Sequence, residues 1–238
     1  MPVSRLVRRI NKTTPDLIFV AGDFIYFLDP AQFKKHFSAF VNANAPVYAV
    51  LGNHDLGLPG PDLREALSES LPNYGIQLID DSALDIAGDG FDFELVALSD
   101  SWNKKQDLAL LDTDPARPRI VLTHNPATVR DLRPGNVVDF LMGGHTHGGQ
   151  IYLPPFSCKL NYMCGPRRYG LSKGDDAYTP RHPSEFNPPI DAEAERPNPL
   201  IFTTSGTGMV GLPMRFLVPP RIDILNVEYS ACAPNDGE

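Results

Sequence analysis

Short apolar runs that stop abruptly at polar, often glycine-bearing clusters constrain this chain more than any other feature. Leu17-Ile18-Phe19-Val20-Ala21 ends in Gly22-Asp23, and Val47-Tyr48-Ala49-Val50-Leu51 ends in Gly52-Asn53-His54-Asp55. Ile120-Val121-Leu122 ends in Thr123-His124-Asn125, and the run from Val137 to Met142 ends in the octet GGHTHGGQ at 143–150. Runs this short, with many β-branched residues and glycine stops, predict buried strands. Between them apolar residues recur with helical spacing, once at Val3, Leu6, Val7 and Ile10 and again at Phe33, Phe37, Phe40 and Val41. Weaker helical spacing covers Asp62 to Leu71 and Pro126 to Leu132. Strands alternating with helices indicate βαβ units, while Ile76 to Ile86, Phe91 to Leu98, Leu200 to Thr204 and Ile222 to Tyr229 add strands with no obvious helix between them. The expectation is an α/β (α+β) fold: two mixed sheets packed together, with helices outside.

Composition bounds what such a fold does. A chain of 238 residues suits one large domain with a substantial core. The 24 prolines predict many fixed loops, and the proline-rich, polar stretch 174–199 reads as a surface insertion because a strand-like run follows it at once. A net charge of -8 argues against an electrostatic grip on nucleic acid, which requires a basic stripe. Cys158, Cys164 and Cys232 are too few and odd in number for a disulfide framework, so they read as free thiols. No run of 18 apolar residues exists, and Met1 to Lys12 lacks the apolar core of a signal peptide, so the expected location is cytoplasmic or membrane-associated.

The four strand ends carry the chemistry. In open α/β sheets ligands collect beyond the carboxyl ends of strands, and here each end bears a side chain able to hold a metal. Asp23 offers a carboxylate that can bridge two cations, Asn53 an amide oxygen, and His124, His145 and His147 imidazoles. If 145–147 is extended, His145 and His147 point the same way and Thr146 points away. The glycines around them let the backbone bend and approach closely. Mixed nitrogen and oxygen ligation without thiolate suits Mn, Fe or Zn. Four of the six histidines lie in these clusters; His36 and His182 lie outside and read as solvated side chains.

These residues, in this order, resemble motifs two to five of the calcineurin-like metallophosphoesterases: Gly22-Asp23, Gly52-Asn53-His54-Asp55, Thr123-His124-Asn125-Pro126 and Gly144-His145-Thr146-His147. The later HTHGGQIYLP and SGTGMVGLPMRFLVPPRIDIL further resemble the bacterial membrane-associated phosphodiesterases, some of which cleave UDP-2,3-diacylglucosamine in lipid A synthesis. The resemblance implies a four-layer αββα sandwich and a site for two divalent transition metal ions in the full-length form, with at least one expected in the chain as given. It implies that Asp23 bridges them, that Asn53, His124 and His145 complete the shell of the second, and that His147 binds the first. It implies that His54 sits beside the scissile phosphate, with Asp55 orienting its ring through a hydrogen bond, and that a metal-bound hydroxide attacks a phosphodiester or pyrophosphate bond. The implied partners are a phosphate-ester substrate, a glycolipid in the narrower match, and a peripheral membrane surface. Arg167 and Arg168 are weak candidates to meet a phosphate, set against a plain reading as a solvated turn.

Two departures qualify this. The family's Asp-x-His first motif would precede the helix at Val3 to Ile10, and the sequence given has no such residues there; the expectation is an N-terminally shortened chain lacking its first strand, with a signal or anchor lost alongside. On that reading a non-catalytic metal-binding or protein-binding module of the same fold is the alternative to an enzyme. The second departure is Tyr26, where many relatives carry another acidic residue after Gly-Asp.

Overall fold

A computed structural model of the chain describes residues 2–103, 106–153, 169–173 and 197–228. Strands β1 (Ile18–Ala21), β2 (Val47–Val50) and β3 (Ile76–Leu78) form one sheet in that order, and both pairings are parallel. Parallel neighbours need a crossover, usually a helix. The chain supplies α2 (Phe33–Phe37) between β1 and β2, and α3 (Arg64–Ser70) between β2 and β3, after α1 (Val3–Asn11) at the start. The periodic apolar residues do what their spacing demands: Val7, Phe33, Phe37, Leu67 and Leu71 pack on Ile18, Val47, Ala49 and Ile76 to cover one face of this sheet.

The second sheet contains β4 (Ser82–Gly88), β5 (Phe91–Leu98), β6 (Arg119–Thr123), β7 (Phe140–Gly143), β8 (Gly170–Lys173) and β9 (Leu200–Thr203), in the order β4-β5-β6-β7-β9-β8. It is antiparallel at each end and parallel in the middle. Alternate residues serve opposite faces. On β5, Leu95 and Ala97 join Tyr48 and Val50 of β2 in the layer between the sheets, whereas Val96 and Leu98 face outward against Leu111, Val129 and Leu132. Burial on both faces explains why Leu95 to Leu98 of β5 and Ile120 to Leu122 of β6 read as continuous apolar runs.

Four layers result, as expected, with differences of detail. The smaller sheet is wholly parallel instead of mixed, because each successive strand in it is reached through a helix. Among the described residues, the layer outside the larger sheet is built of 3₁₀ turns at Leu108–Leu111 and Pro126–Arg130, so the weak helical spacing from Pro126 yields a tighter, shorter element. The run Ile76 to Ile86 is not one strand: β3 closes the first sheet and β4 opens the second, with Ile79–Asp81 turning between them. No strand forms over 222–228. Residues 174–196 of the expected insertion, the three cysteines and His182 lie outside the described residues.

Arg119 ties the outer layer to the sheet. It is fully buried, pairs with Glu94, and donates to the carbonyls of Thr113 at 2.9 Å and Val137 at 3.1 Å. A buried guanidinium is tolerable only when its donors are satisfied in this way.

Candidate metal centre

Both sheets point the carboxyl ends of β1, β2, β6 and β7 at one place, and the loops that leave these strands build the site. Gly22 has φ +75°, and a Cβ there would lie 2.6 Å from the backbone nitrogen of Gly52; a Cβ on Gly52 would lie 2.2 Å from Asp23 Oδ1. The first two loops can therefore cross only because both residues lack side chains. Asp55 then fastens the crossing. Its carboxylate accepts from the amides of Gly52 at 2.9 Å, Phe24 at 3.2 Å and Ile25 at 3.2 Å.

Four lone-pair atoms converge in the centre. His124 Nε2 lies 3.3 Å from Asp23 Oδ2, 3.2 Å from Asn53 Oδ1 and 3.1 Å from His145 Nδ1. His145 Nδ1 lies 2.9 Å from the same Asn53 oxygen. Orientation is fixed from behind: Asn53 Nδ2 donates to the Leu58 carbonyl, and His124 Nδ1 donates to the Ala21 carbonyl at 2.6 Å. Asn53 thus presents oxygen, and a neutral His124 presents the bare Nε2. Acceptors facing acceptors at this spacing call for a cation. Metal–ligand bonds of about 2.1 Å set neighbouring ligand atoms about 3 Å apart, so the residues fit one divalent ion. The ligand atoms of Asp23, His124 and His145 all lie within 4.8 Å of one another.

The electrostatics agree with that reading. Burial alone would raise Asp23, but the adjacent His124 holds its carboxyl well below the usual carboxylate range. Burial would likewise lower His124, yet the Asp23 carboxylate, with help from Asp100, pushes it up to about 10. Without a metal, a proton on His124 does the cation's work. Burial, reinforced by the facing His124, holds His145 well below the ordinary imidazole range and so neutral.

The expected ligands are thus divided. Asp23, Asn53, His124 and His145 come together; His147 stands outside that cluster. Burial, with Arg215 and His124 nearby, pushes His147 down to about 4 despite Asp23, and its buried Nδ1 has no hydrogen-bond partner. That donor remains suited to a second ion. The expected extended geometry of 145–147 is corrected. His145 and His147 have φ of +61° and +50° around a right-handed Thr146, so two left-handed residues, not strand alternation, aim the rings. Asp23 is left-handed as well, at φ +55°. Such strain in non-glycine residues concentrates at functional sites.

His54 is at the mouth. Its backbone amide donates to Asp23 Oδ1 at 3.1 Å, its Nδ1 lies 3.4 Å from the Pro59 carbonyl, and its ring stands edge-to-face against Tyr26. The expected hydrogen bond from Asp55 to this ring is corrected, because the three loop amides occupy Asp55. Burial and Asp23 push the Asp55 carboxyl up to about 7, against the amides that favour its charged form. Arg167 and Arg168 lie outside the described residues.

Sequence reasoning missed three contributors. Trp102 packs edge-to-face on His145, with ring centroids 4.7 Å apart, and Asp100 is fully buried nearby. Both follow the carboxyl end of β5, a parallel neighbour of β6, so the strand-end rule applied to a fifth strand finds them. Arg215 donates to the carbonyls of His147 at 3.0 Å and Ser205 at 2.7 Å, bracing the His147 turn. No local pattern marks it.

Comparison with known proteins places these features in context. A family model described as calcineurin-like phosphoesterase matches residues 2–149. Phosphodiesterase YaeI of Escherichia coli is 34% identical over 168 residues, covering 66% of this chain and 60% of that protein. UDP-2,3-diacylglucosamine pyrophosphatase LpxG of Chlamydia trachomatis is 25% identical over 202 residues, covering 64% of this chain and 60% of its own. An uncharacterized metallophosphoesterase of Helicobacter pylori is 24% identical over 237 residues, covering 94% of this chain and 54% of its own. The chain thus spans between about half and three fifths of the length of these relatives.

Proposed function

This chain belongs to the calcineurin-like phosphoesterase family, and on that footing we propose that it hydrolyses a phosphodiester or pyrophosphate bond with the help of divalent metal. The convergence of Asp23, Asn53, His124 and His145 carries the reading, because their facing oxygen and nitrogen atoms, with neighbours 2.9–3.3 Å apart, form a ready-made ligand set for a divalent ion. A bound divalent ion supplies Lewis-acid polarisation of the phosphoryl group and activation of water. Asp23, Asn53, His124 and His145 would hold one such ion, and Asp23 with His147 would contribute to a second. Mn, Fe and Zn suit these donors. His54, partly exposed and with its backbone amide on Asp23, is the side chain suited to deliver or share a proton at a leaving oxygen. Asp55 acts through the loops and not on the ester.

The finer reading is a UDP-sugar lipid substrate of the lipid A type, met at a membrane surface. It draws on the similarity to LpxG and on exposed apolar residues of nearby loops, Leu58 and Leu153. Among the described residues no helix is long and apolar enough to cross a membrane. The position of His147 outside the main cluster favours a second reading, a module that binds one metal without turnover. Hydrolysis of bis(p-nitrophenyl) phosphate by the Mn-loaded chain decides between them. The enzyme reading expects turnover that His54→Ala lowers about 10²–10³-fold with metal content unchanged; metal uptake without turnover supports the binding module.

A further inference from the structure

Phe27 is an apolar residue in a backbone conformation that apolar residues avoid. Its φ is +55°, in the left-handed region, and the residue is 62% exposed. Neither feature helps the chain to fold. Part of the ring rests over Gly60, where a Cβ would come 3.6 Å from it, and the remainder faces solvent. Tyr26, 43% exposed, stands edge-to-face against Phe27, with centroids 4.7 Å apart at 85°. The same Tyr26 stands edge-to-face against His54, with centroids 4.8 Å apart at 89°. Two aromatic rings therefore make a continuous step from open solvent to the imidazole beside Asp23. The backbone that presents them is held from below, because the amides of Phe24 and Ile25 are bound by Asp55. A strained, exposed aromatic residue kept in place by its neighbours, two side chains from a metal centre, has the character of a ligand contact.

We propose that Tyr26 and Phe27 form an aromatic shelf that seats a planar aromatic ring carried by the phosphoester, so that the site selects ring-bearing esters over small aliphatic ones. Aromatic rings attract a third ring through edges and faces beyond the area they bury. The inference rests on the site being a phosphoester site, and its test separates the two. Binding of phenylphosphonate, cyclohexylphosphonate and methylphosphonate to the full Mn-loaded chain is measured by calorimetry. Phenylphosphonate binds about tenfold tighter than methylphosphonate, with cyclohexylphosphonate clearly weaker than phenyl. Phe27→Gly and Tyr26→Ser bring the phenyl preference within twofold and leave methylphosphonate binding unchanged, whereas Tyr26→Phe retains it. Phe27→Gly also unfolds at the same temperature as the parent or higher, since glycine relieves the left-handed strain; a loop-packing role would lower it. Equal binding of the phenyl and cyclohexyl compounds, or a preference that survives both variants, overturns the shelf. Bis(p-nitrophenyl) phosphate hydrolysis is followed in parallel. A phenyl preference without turnover leaves the shelf standing and removes the hydrolase, and turnover without preference does the reverse.

Discussion

The His124 imidazole holds a proton where a ligand should offer a lone pair. Its pKa, raised to about 10 by Asp23, means that at pH 7 the metal-free protein carries the imidazolium. The pair's contribution to stability is complete below the unfolded histidine value of about 6.5 and is lost as pH rises through about 10. Metal uptake at pH 7 must displace this proton, while His145 and His147, already neutral, release none. Calorimetric titration with Mn in buffers of different ionisation enthalpy therefore yields about one proton released per ion bound at the first site; a value near zero would mean that His124 is not a ligand. Asp55→Ala strips acceptors from three amides, two of them on the turn that carries Asp23. Its expected cost is roughly 2–3 kcal/mol in urea unfolding, with the remaining His54 ring contacts to Tyr26 intact. At this scale the ligand types were legible in the sequence, because carboxylate, amide and imidazole announce themselves. Their aim was not: the left-handed conformations of Asp23, His145 and His147 follow from tertiary contacts, and no short pattern encodes them.

At the scale of elements, the strand ends were readable and the supports were not. β1, β2, β6 and β7 stand where β-branched runs and polar stops place them. The 3₁₀ layer and the break between β3 and β4 escaped, since periodicity cannot distinguish a short helix from a tight turn or show an apolar run passing from one sheet to another. Arg119 escaped for a related reason, as a charged residue at the head of an apolar strand looks like a boundary. It is instead the buried tie for the outer layer. Arg119→Ala leaves Glu94 without its partner and several carbonyls without a donor, and is expected to destabilise by roughly 3–5 kcal/mol. Chemical denaturation with Arg119→Met as a companion tests this: the apolar variant, which fills more of the space, should lose less.

For the whole molecule, the centre is a joint between sheets. Asp23 and Asn53 arrive on loops from the parallel sheet, and His124 and His145 on loops from the mixed one. A ligand that binds only the folded state stabilises it by about 4 kcal/mol at a thousand times its dissociation constant. For a chain of this size that corresponds to a rise of roughly 10 °C in melting temperature. Thermal scans with Mn and with chelator should show that gap, and it should shrink to near zero in Asn53→Ala with His145→Ala. The division has a further use. The chain passes from one sheet to the other in a single step at 79–81, so fragments made by opening it there would each own half of the donor set and neither could grip an ion tightly. Tight metal capture by a mixture of the two halves would then report their reassembly.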